Sequence, residues 1–205
     1  MIKRIVLVIA FAGFVNAADI KLPNPGFEAS EGGRAGNWGV FHFGDEGSGS
    51  RLKISKDART GTHAIEIGLN AGDGGQGIYA DVPVAGLRAG DTVSFSVHMK
   101  SKSGKPLAGG VIDLHVEFMS ASGDEGEILG RTDTLGSSKA IGLTLTDKYR
   151  RYTTTHTIKN GDVPEGLGAV KALRFVIVAV QPADRVGKER LGSVIIDDAS
   201  AELKR

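Results

Sequence analysis

Side chains able to bind hydroxyl groups, protons or metal ions recur at alternate positions of three apolar segments. They are His98 in the first segment, Asp113, His115 and Glu117 in the second, and Arg174 in the third. Alternate positions of a strand share one face. If the three strands are neighbours, two imidazoles, two carboxylates and a guanidinium therefore converge in one groove. Such a groove can bind hydroxyl groups, an acidic group or a metal ion; the alternative is an ordinary solvated sheet face.

The sequence lacks the common motifs for nucleotide binding, nucleophilic catalysis and metal binding. Residues 72–77 match G-x-G-x-x-G, but a strand pattern follows them instead of a helix, so we interpret them as a glycine loop. The sequence holds no G-x-S-x-G elbow, no H-E-x-x-H and no P-loop. The acidic run at 124–127 lacks EF-hand spacing, and we expect it to be solvated.

Composition favours one turn-rich domain. The chain has 205 residues, 40% of them hydrophobic, and 30 glycines, which suits an all-β fold with many tight turns. Without Lys3 and Arg4, 23 basic residues stand against 24 acidic ones, a balance that gives no reason to expect nucleic acid or an anionic membrane as partner. The absence of cysteine excludes disulfides, a thiol nucleophile and cysteine-ligated zinc.

The N-terminus has the pattern of a signal peptide. Lys3 and Arg4 precede an apolar run at 5–15, and Val15-Asn16-Ala17 places small residues where signal peptidase cleaves. We predict a signal peptide at 1–17 and a mature chain that is secreted, periplasmic or attached to the cell surface. The run is too short to span a bilayer, and no second one approaches about 20 residues, so no membrane span is expected.

Strand patterns follow one another along the rest of the chain. Residues 64–69, 78–84, 93–100 and 111–118 alternate between apolar and polar side chains, whereas 172–180 are almost wholly apolar, as in a central strand covered on both faces. A closing strand is expected at 193–203, and a helical turn near 162–168. With no internal repeat or linker, we predict a single domain at 18–205, an all-β, two-sheet antiparallel β-sandwich with jelly-roll topology.

Several motifs occur in order over nearly the whole predicted mature chain. They are NPGFE at 24–28 followed by Trp38, ARTGTHAIEI at 58–67, QGIYADV at 76–82, LRAGDTVSFS at 87–96 and IIDDA at 195–199. Together they resemble the secreted carbohydrate-binding modules of the family 4/9/22 type, galactose-binding-domain-like jelly rolls attached to polysaccharide hydrolases. The resemblance implies a polysaccharide or oligosaccharide ligand and a separate secreted glycoside hydrolase as a possible partner.

The same resemblance implies a structural calcium ion that ties the N-terminal segment to the last strand. Its ligands, carried over by motif position, would be the carboxylates of Glu28, Asp57 and Asp197 and the carbonyl of Thr60. Calcium takes 6–8 oxygen ligands of these kinds. Alternation turns Asp197 inward, where an unpaired charge would be costly. The alternative is that these acids are solvated or paired with lysine and arginine.

Modules of this type bind glycans along the concave sheet, where aromatic rings stack on sugars and polar side chains orient hydroxyl groups. The positions expected to bind carbohydrate here are Gln76, Tyr79, His98, Asp113, His115, Glu117 and Arg174. Tyr79 points outward on its strand and is the predicted stacking ring, whereas Trp38 is expected to pack in the core. Gly75 stands where the family often has a stacking tryptophan.

The sequence leaves three functions open. The first is a calcium-braced protein that binds polysaccharide without catalysis. The second is a small glycan-active hydrolase or lyase. Asp113 and Glu117 lie about 13 Å apart along one strand, too far for the 5–9.5 Å of a glycosidase pair, but Glu117 with His98 or His115 could act as acid and base. The third is a structural surface protein that has lost sugar binding.

Overall fold

The computed structural model describes residues 17–44, 51–69, 74–103, 111–132, 145–181 and 192–205. Most of the predicted signal peptide, residues 1–16, therefore lies outside the described residues. Within the described ranges the strands are β1 (Ala17–Ile20), β2 (Ser30–Glu31), β3 (Arg34–Ala35), β4 (Gly39–Gly44), β5 (Arg51–Ser55), β6 (Ala64–Gly68), β7 (Gly74–Pro83), β8 (Thr92–Ser101), β9 (Val111–Met119), β10 (Ile128–Arg131), β11 (Arg150–Thr157), β12 (Ala172–Gln181) and β13 (Ser193–Lys204).

The strands form two antiparallel sheets that face each other. The sheet called here the front sheet has the order β10-β9-β12-β7-β4, and the back sheet has the order β11-β8-β13-β6-β5, with β1 also pairing with β13. The predicted two-sheet β-sandwich of jelly-roll type is confirmed. The predicted helical turn corresponds to two short 3-10 turns, Asn160–Asp162 and Leu167–Ala169. No helix in the described part of the chain is long and apolar enough to cross a membrane.

The core lies between the sheets and is filled by the apolar positions of the alternating strands. Phe95 and Phe175 face each other across it with their ring centroids 5.3 Å apart. Both rings are fully buried, as are Leu114 on β9 and Ile196 on β13. Because successive side chains of a strand point to opposite faces, this core fixes which positions of each front strand face outward.

The prediction of a central strand covered on both faces is confirmed for β12. This strand pairs with β7 on one side and β9 on the other. Its outward-facing Val176 and Val178 are only 2% and 5% exposed. The side chains of the neighbouring strands therefore cover the middle of the outer face of the front sheet.

One sequence interpretation is wrong. Of the predicted glycine loop at 72–77, the described residues from Gly74 onward belong to β7, where they pair with β4. Glycine is unfavourable within a strand unless something approaches the backbone closely. The neighbouring strand supplies such an approach with aromatic rings.

Candidate functional site

Three aromatic rings lie on glycine backbone along the seam between β4 and β7. The cross-strand pairs are Phe43 with Gly75, Phe41 with Gly77, and Tyr79 with Gly39. A β-carbon placed on Gly75 would come within 2.6 Å of Cζ of the Phe43 ring, and the other two glycines are covered in the same way. Each ring can therefore lie down on the sheet only because its partner has no side chain.

The rings form an apolar floor beside the outward valines of β12, which are themselves nearly covered. Val176 is in register with Tyr79, Val178 with Gly77 and Val180 with Gly75. The centroids of the Phe41 and Tyr79 rings are 6.3 Å apart. The ring of Phe43 is 44% exposed at the end of the row. The exposed face of a ring such as Phe43 is a surface on which the C–H groups of a sugar stack.

Three charged side chains of β9 lie beside this floor. The ring of His115 lies between two carboxylates, with Nδ1 3.2 Å from Asp113 and Nε2 3.4 Å from Glu117. Burial would lower the pKa of His115, but hydrogen bonds and charge from the two carboxylates outweigh it and raise the pKa to about 9. At neutral pH the ring is therefore a cation that donates to both acids.

This geometry corrects the distance expected between Asp113 and Glu117. Each carboxylate contacts a nitrogen of the same imidazole ring, so the contacting oxygens are at most about 9 Å apart, not about 13 Å, because the side chains lean toward each other. An upper bound of about 9 Å is compatible with the 5–9.5 Å of a glycosidase pair. The imidazolium of His115, however, lies between the two acids.

Arg174 is held by neighbours at the other end of the floor. Its Nε donates to Oδ1 of Asp81 at 2.7 Å and one Nη donates to Oδ2 at 3.0 Å. The same Nη donates to the carbonyl of Gly123 at 3.0 Å. The guanidinium also lies 4.1 Å above the ring centroid of Tyr79, whose hydroxyl donates to Asp124 at 2.9 Å. These contacts tie the 120–127 loop to the sheet.

The structure brings five of the seven predicted sugar-binding residues to one face. Tyr79, Asp113, His115, Glu117 and Arg174 all point outward from the front sheet. Arg174 covers one face of the Tyr79 ring, and Asp81 takes up the bidentate edge of its guanidinium. Tyr79 and Arg174 therefore hold the site in shape and leave little of their own surface open to a ligand.

The expectation that His98 joins this cluster is wrong. His98 lies on β8 of the back sheet, opposite Arg151 on β11 and Asp197 on β13. Alternation showed which face of its own strand it occupies but not which sheet the strand joins. Burial and the nearby Arg59 lower the pKa of His98, so its ring is neutral at physiological pH.

Gln76 also lies away from the floor. It pairs with Ala179 and has the parity of Ile78 on β7, which is fully buried in the core. Its Oε1 is buried and has no hydrogen-bond partner among the described residues. Gln76 thus faces inward, on the opposite side of the strand from Tyr79.

The residues predicted to bind calcium divide into two groups. Glu28 and Asp197 both contact the loop at 59–63, and the main-chain N–H of Ala199 donates to Pro25 at 2.8 Å. The N-terminal segment and the last strand are therefore joined, as the resemblance implied. Asp57 points elsewhere: its carboxylate lies 2.5 Å from Nζ of Lys100.

Backbone N–H groups hold the two carboxylates of this clasp. Asp197, fully buried, accepts from the main-chain N–H of Arg59 at 2.7 Å, Thr60 at 3.2 Å and Asp198 at 2.8 Å. Burial raises the pKa of Asp197 against the lowering effect of these bonds. Glu28 accepts from the main-chain N–H groups of His63 and Thr62 and from the Thr62 hydroxyl, which lower its pKa to about 2.

This donor set differs from the one expected for calcium. Thr60 turns its N–H, not its carbonyl, toward Asp197. Within the described ranges no three acidic or histidine side chains meet where a metal ion could bind. As arranged, these residues form a hydrogen-bonded clasp, and calcium at this position stays a prediction.

Sequence reasoning missed Phe41 and Phe43. The interpretation of 72–77 as a loop removed the part of the partner strand that pairs with Phe41 and Phe43. The signal that could have found them is the pairing of V-F-H-F-G with G-G-Q-G-I-Y, in which rings on one strand meet glycines on the next. Trp38, by contrast, packs in the core as expected: it is 6% exposed and donates to the carbonyl of Pro23 at 2.8 Å.

Comparisons with known proteins identify the fold through structure only. No protein-family model and no curated protein sequence matches the chain. Among solved structures, the enzymatically active domain of tailspike protein 4 of bacteriophage CBA120 matches with a TM-score of 0.51 and 10% identity, over 87% of this chain and 22% of that one. This chain thus spans under a quarter of the length of that protein.

Two carbohydrate-binding modules also resemble this structure, at lower TM-scores. TmCBM61, solved in complex with β-1,4-galactotriose, has a TM-score of 0.48 and 19% identity, over 90% of this chain and 97% of that one. A CBM22 xylan-binding domain from Paenibacillus barcinonensis has a TM-score of 0.47 and 13% identity, over 91% and 95%. At identities of 10–19% the likeness concerns the β-sandwich fold alone.

Proposed function

We propose that this chain binds a polysaccharide or oligosaccharide, without catalysis, on the outer face of the front sheet. The observation that carries the proposal is the pair of Phe43 and Phe41 rings lying on glycine backbone, next to the Tyr79 ring that Arg174 covers. Flat apolar rings beside fixed polar groups suit a ligand that is apolar on one face and hydroxylated at its edges. The rings replace the tryptophan that is absent at Gly75.

The charged groups at the two ends of the floor would fix the orientation of the bound sugar. Asp113 and Glu117 are held by His115, and Asp81 by Arg174. Glu117 contacts His115 through one oxygen and would accept a hydrogen bond from a sugar hydroxyl group through the other, without having to reorder. Preorganisation of this kind lowers the entropic cost of binding.

Catalysis is the second candidate, favoured by the short distance between Asp113 and Glu117. An inverting glycosidase needs space between its two acids for the glycosidic oxygen and a water molecule. Here the His115 ring lies in the space between the acids. With a pKa of about 9 it is a cation bonded to both of them, so it leaves no room for the glycosidic oxygen and the water molecule. We therefore infer binding without bond cleavage. Release of reducing or unsaturated sugar from the panel described below would reverse this inference.

The proposal extends to export, calcium and a partner. The signal-peptide pattern at 1–17 supports a secreted, periplasmic or surface location, where polysaccharides are found. The family resemblance supports a structural calcium ion at the Glu28–Asp197 clasp and cooperation with a separate glycoside hydrolase. Each of these rests on the sequence alone.

Affinity electrophoresis in gels containing xylan, β-1,4-galactan or mixed-linkage glucan tests the binding proposal. We expect retardation of the wild type by at least one glycan. The Phe41→Ala/Phe43→Ala double variant should bind that glycan about tenfold more weakly, because each stacking contact is worth about 0.5–1.5 kcal/mol. The control is Ile128→Ala, which removes a 56% exposed apolar side chain from the opposite edge of the same sheet.

Two results would overturn the binding proposal. One is a wild type that no glycan in a broad array retards, which would leave a structural role. The other is a folded double variant, with the melting temperature of the Ile128→Ala control, that is retarded as strongly as the wild type. The second result would show that the rings are not the contact surface.

A further inference from the structure

A polar cavity opens on the outer face of the back sheet, on the far side of the sandwich from the rings. Its volume is about 220 Å³, and its lining is Ser94, Ser96, Arg151, Thr153, Ser200, Ala201 and Glu202. None of these residues belongs to the front sheet, and none was expected to bind a ligand. The cavity is smaller than the ~300–1,000 Å³ pockets that hold drug-sized ligands, so it suits a single small ring.

A β-bulge in β13 lies beside the cavity. The register between β13 and β8 shifts between Asp197 and Ser200, and Asp198 within the shift has a φ of 47°. The Asp198 side chain turns away to bond Arg59 and Thr60. Bulges redirect the side chains of a strand, and Ser200, the first residue after this one, lines the cavity.

Hydroxyl groups at the bottom of the cavity are held in place by hydrogen bonds. The Ser96 Oγ accepts from one Nη of Arg151 at 2.9 Å and from the Thr153 hydroxyl at 3.2 Å. Ser94 and Thr155 share a hydrogen bond of 3.1 Å. With two bonds accepted, the nearly buried Ser96 hydroxyl retains its own hydrogen to donate. The bottom of the cavity therefore offers both donors and acceptors at fixed positions.

The lining includes one cation and one anion. Arg151 has no carboxylate within ion-pair distance among the described residues, so most of its donors are open, and Glu202 has only the distant Lys204 at 3.7 Å. The Glu202 carboxylate would repel an anionic ligand, and the Arg151 guanidinium would repel a cationic one. A neutral ring with several hydroxyl groups can bond to both, as acceptor from Arg151 and donor to Glu202.

We propose that this cavity is a second carbohydrate site, which binds one neutral pyranose unit by hydrogen bonds alone. No aromatic ring lines it, so the expected affinity is weak, on the order of millimolar. The two sites would lie on opposite sheets of one sandwich and bind independently. The cavity site does not depend on the rings, and it goes beyond the binding proposed for the front sheet.

Amide chemical shifts in a ¹⁵N-labelled sample test this proposal by titration with D-xylose, D-galactose, D-glucose and inorganic phosphate. We expect at least one of the sugars to shift the amides of Ser96, Thr153 and Ser200, and phosphate to leave them unchanged. Arg151→Ala and Glu202→Gln should each weaken this binding severalfold. Arg150→Ala removes the same charge from the neighbouring position of β11, outside the cavity lining, and should leave the binding unchanged.

The Phe41→Ala/Phe43→Ala double variant separates the two sites. It should retain the shifts of Ser96, Thr153 and Ser200 whether or not the front sheet binds glycan. The proposal is overturned if none of the three sugars shifts these amides, or if phosphate shifts them in place of sugar. It is also overturned if Arg151→Ala and Glu202→Gln, both folded by their remaining spectrum, bind the sugar as the wild type does.

Discussion

The ring of Tyr79 lies so close to Gly39 on the neighbouring strand that a β-carbon at position 39 would overlap the ring atoms. The guanidinium of Arg174 lies 4.1 Å from the centroid of the same ring. Glycine at 39 is therefore part of the site, although it has no side chain to contact a ligand. Its role is to keep the adjacent ring flat.

The first prediction concerns this pair. Gly39→Ala should lower the free energy of unfolding by about 1–3 kcal/mol, because the new methyl group displaces a ring held by Arg174 and Asp124. Urea denaturation measures the effect. In the Tyr79→Ala background the same substitution should cost much less, since the ring it displaces is gone. Equal costs in both backgrounds would show that the methyl group clashes with something other than Tyr79.

The second prediction concerns the pH dependence of stability. The pKa of His115 is about 9 in the folded protein against 6.5 as its ordinary value. A raised folded-state pKa gives a contribution that is complete below pH 6.5 and is lost as pH rises through 9. The difference corresponds to about 3 kcal/mol. Urea denaturation between pH 6 and 9.5 should show this loss in the wild type.

His115→Gln should remove this slope between pH 6.5 and 9, because glutamine does not titrate. His42→Gln, which changes another histidine of the front sheet, should keep the slope of the wild type. Direct titration of the His115 ring by NMR should give a midpoint near pH 9. A midpoint near 6.5 would contradict the clamp by Asp113 and Glu117.

The third prediction concerns the clasp at Asp197. Asp197→Ala should lower the melting temperature by several degrees with or without EDTA, because three buried N–H groups lose their acceptor. Asp57→Ala, which removes an acid from outside the clasp, is the matched control and should have a smaller effect. A variant as stable as the wild type would show that these bonds contribute nothing.

The same melts test the calcium prediction. A calcium ion at the clasp requires that EDTA lower the melting temperature of the wild type and leave that of Asp197→Ala unchanged. A wild type indifferent to EDTA removes calcium from the proposal while the hydrogen-bonded clasp stands.

Alternation in the sequence predicted the fold and the outward faces but not the sheet to which each strand belongs. The segments at 93–100 and 111–118 were recognised as strands, and they form β8 and β9. They lie in different sheets, which separates His98 from His115. Period-two patterning records burial on one side of a strand, and it is the same for both sheets of a sandwich.

The rings of the candidate site were out of reach for a related reason. Phe41 and Phe43 have meaning only through the register that places them over Gly77 and Gly75. Register depends on pairing between segments more than thirty positions apart, and glycines at 74–77 gave a turn signal that concealed the strand. By contrast, the family resemblance implied that the N-terminal segment meets the last strand, and Glu28 and Asp197 contact the same loop.

The cross-strand ring at Gly75 has a consequence for evolution and for engineering. The site needs one aromatic ring at that point of the surface, and this ring can come either from position 43 on β4 or from position 75 on β7. Homologues with a large aromatic residue at 75 should therefore have a small one at 43, so that the two columns of an alignment covary. Transplanting the ring, by Phe43→Gly together with Gly75→Trp, should conserve the surface while exchanging the strand that anchors it.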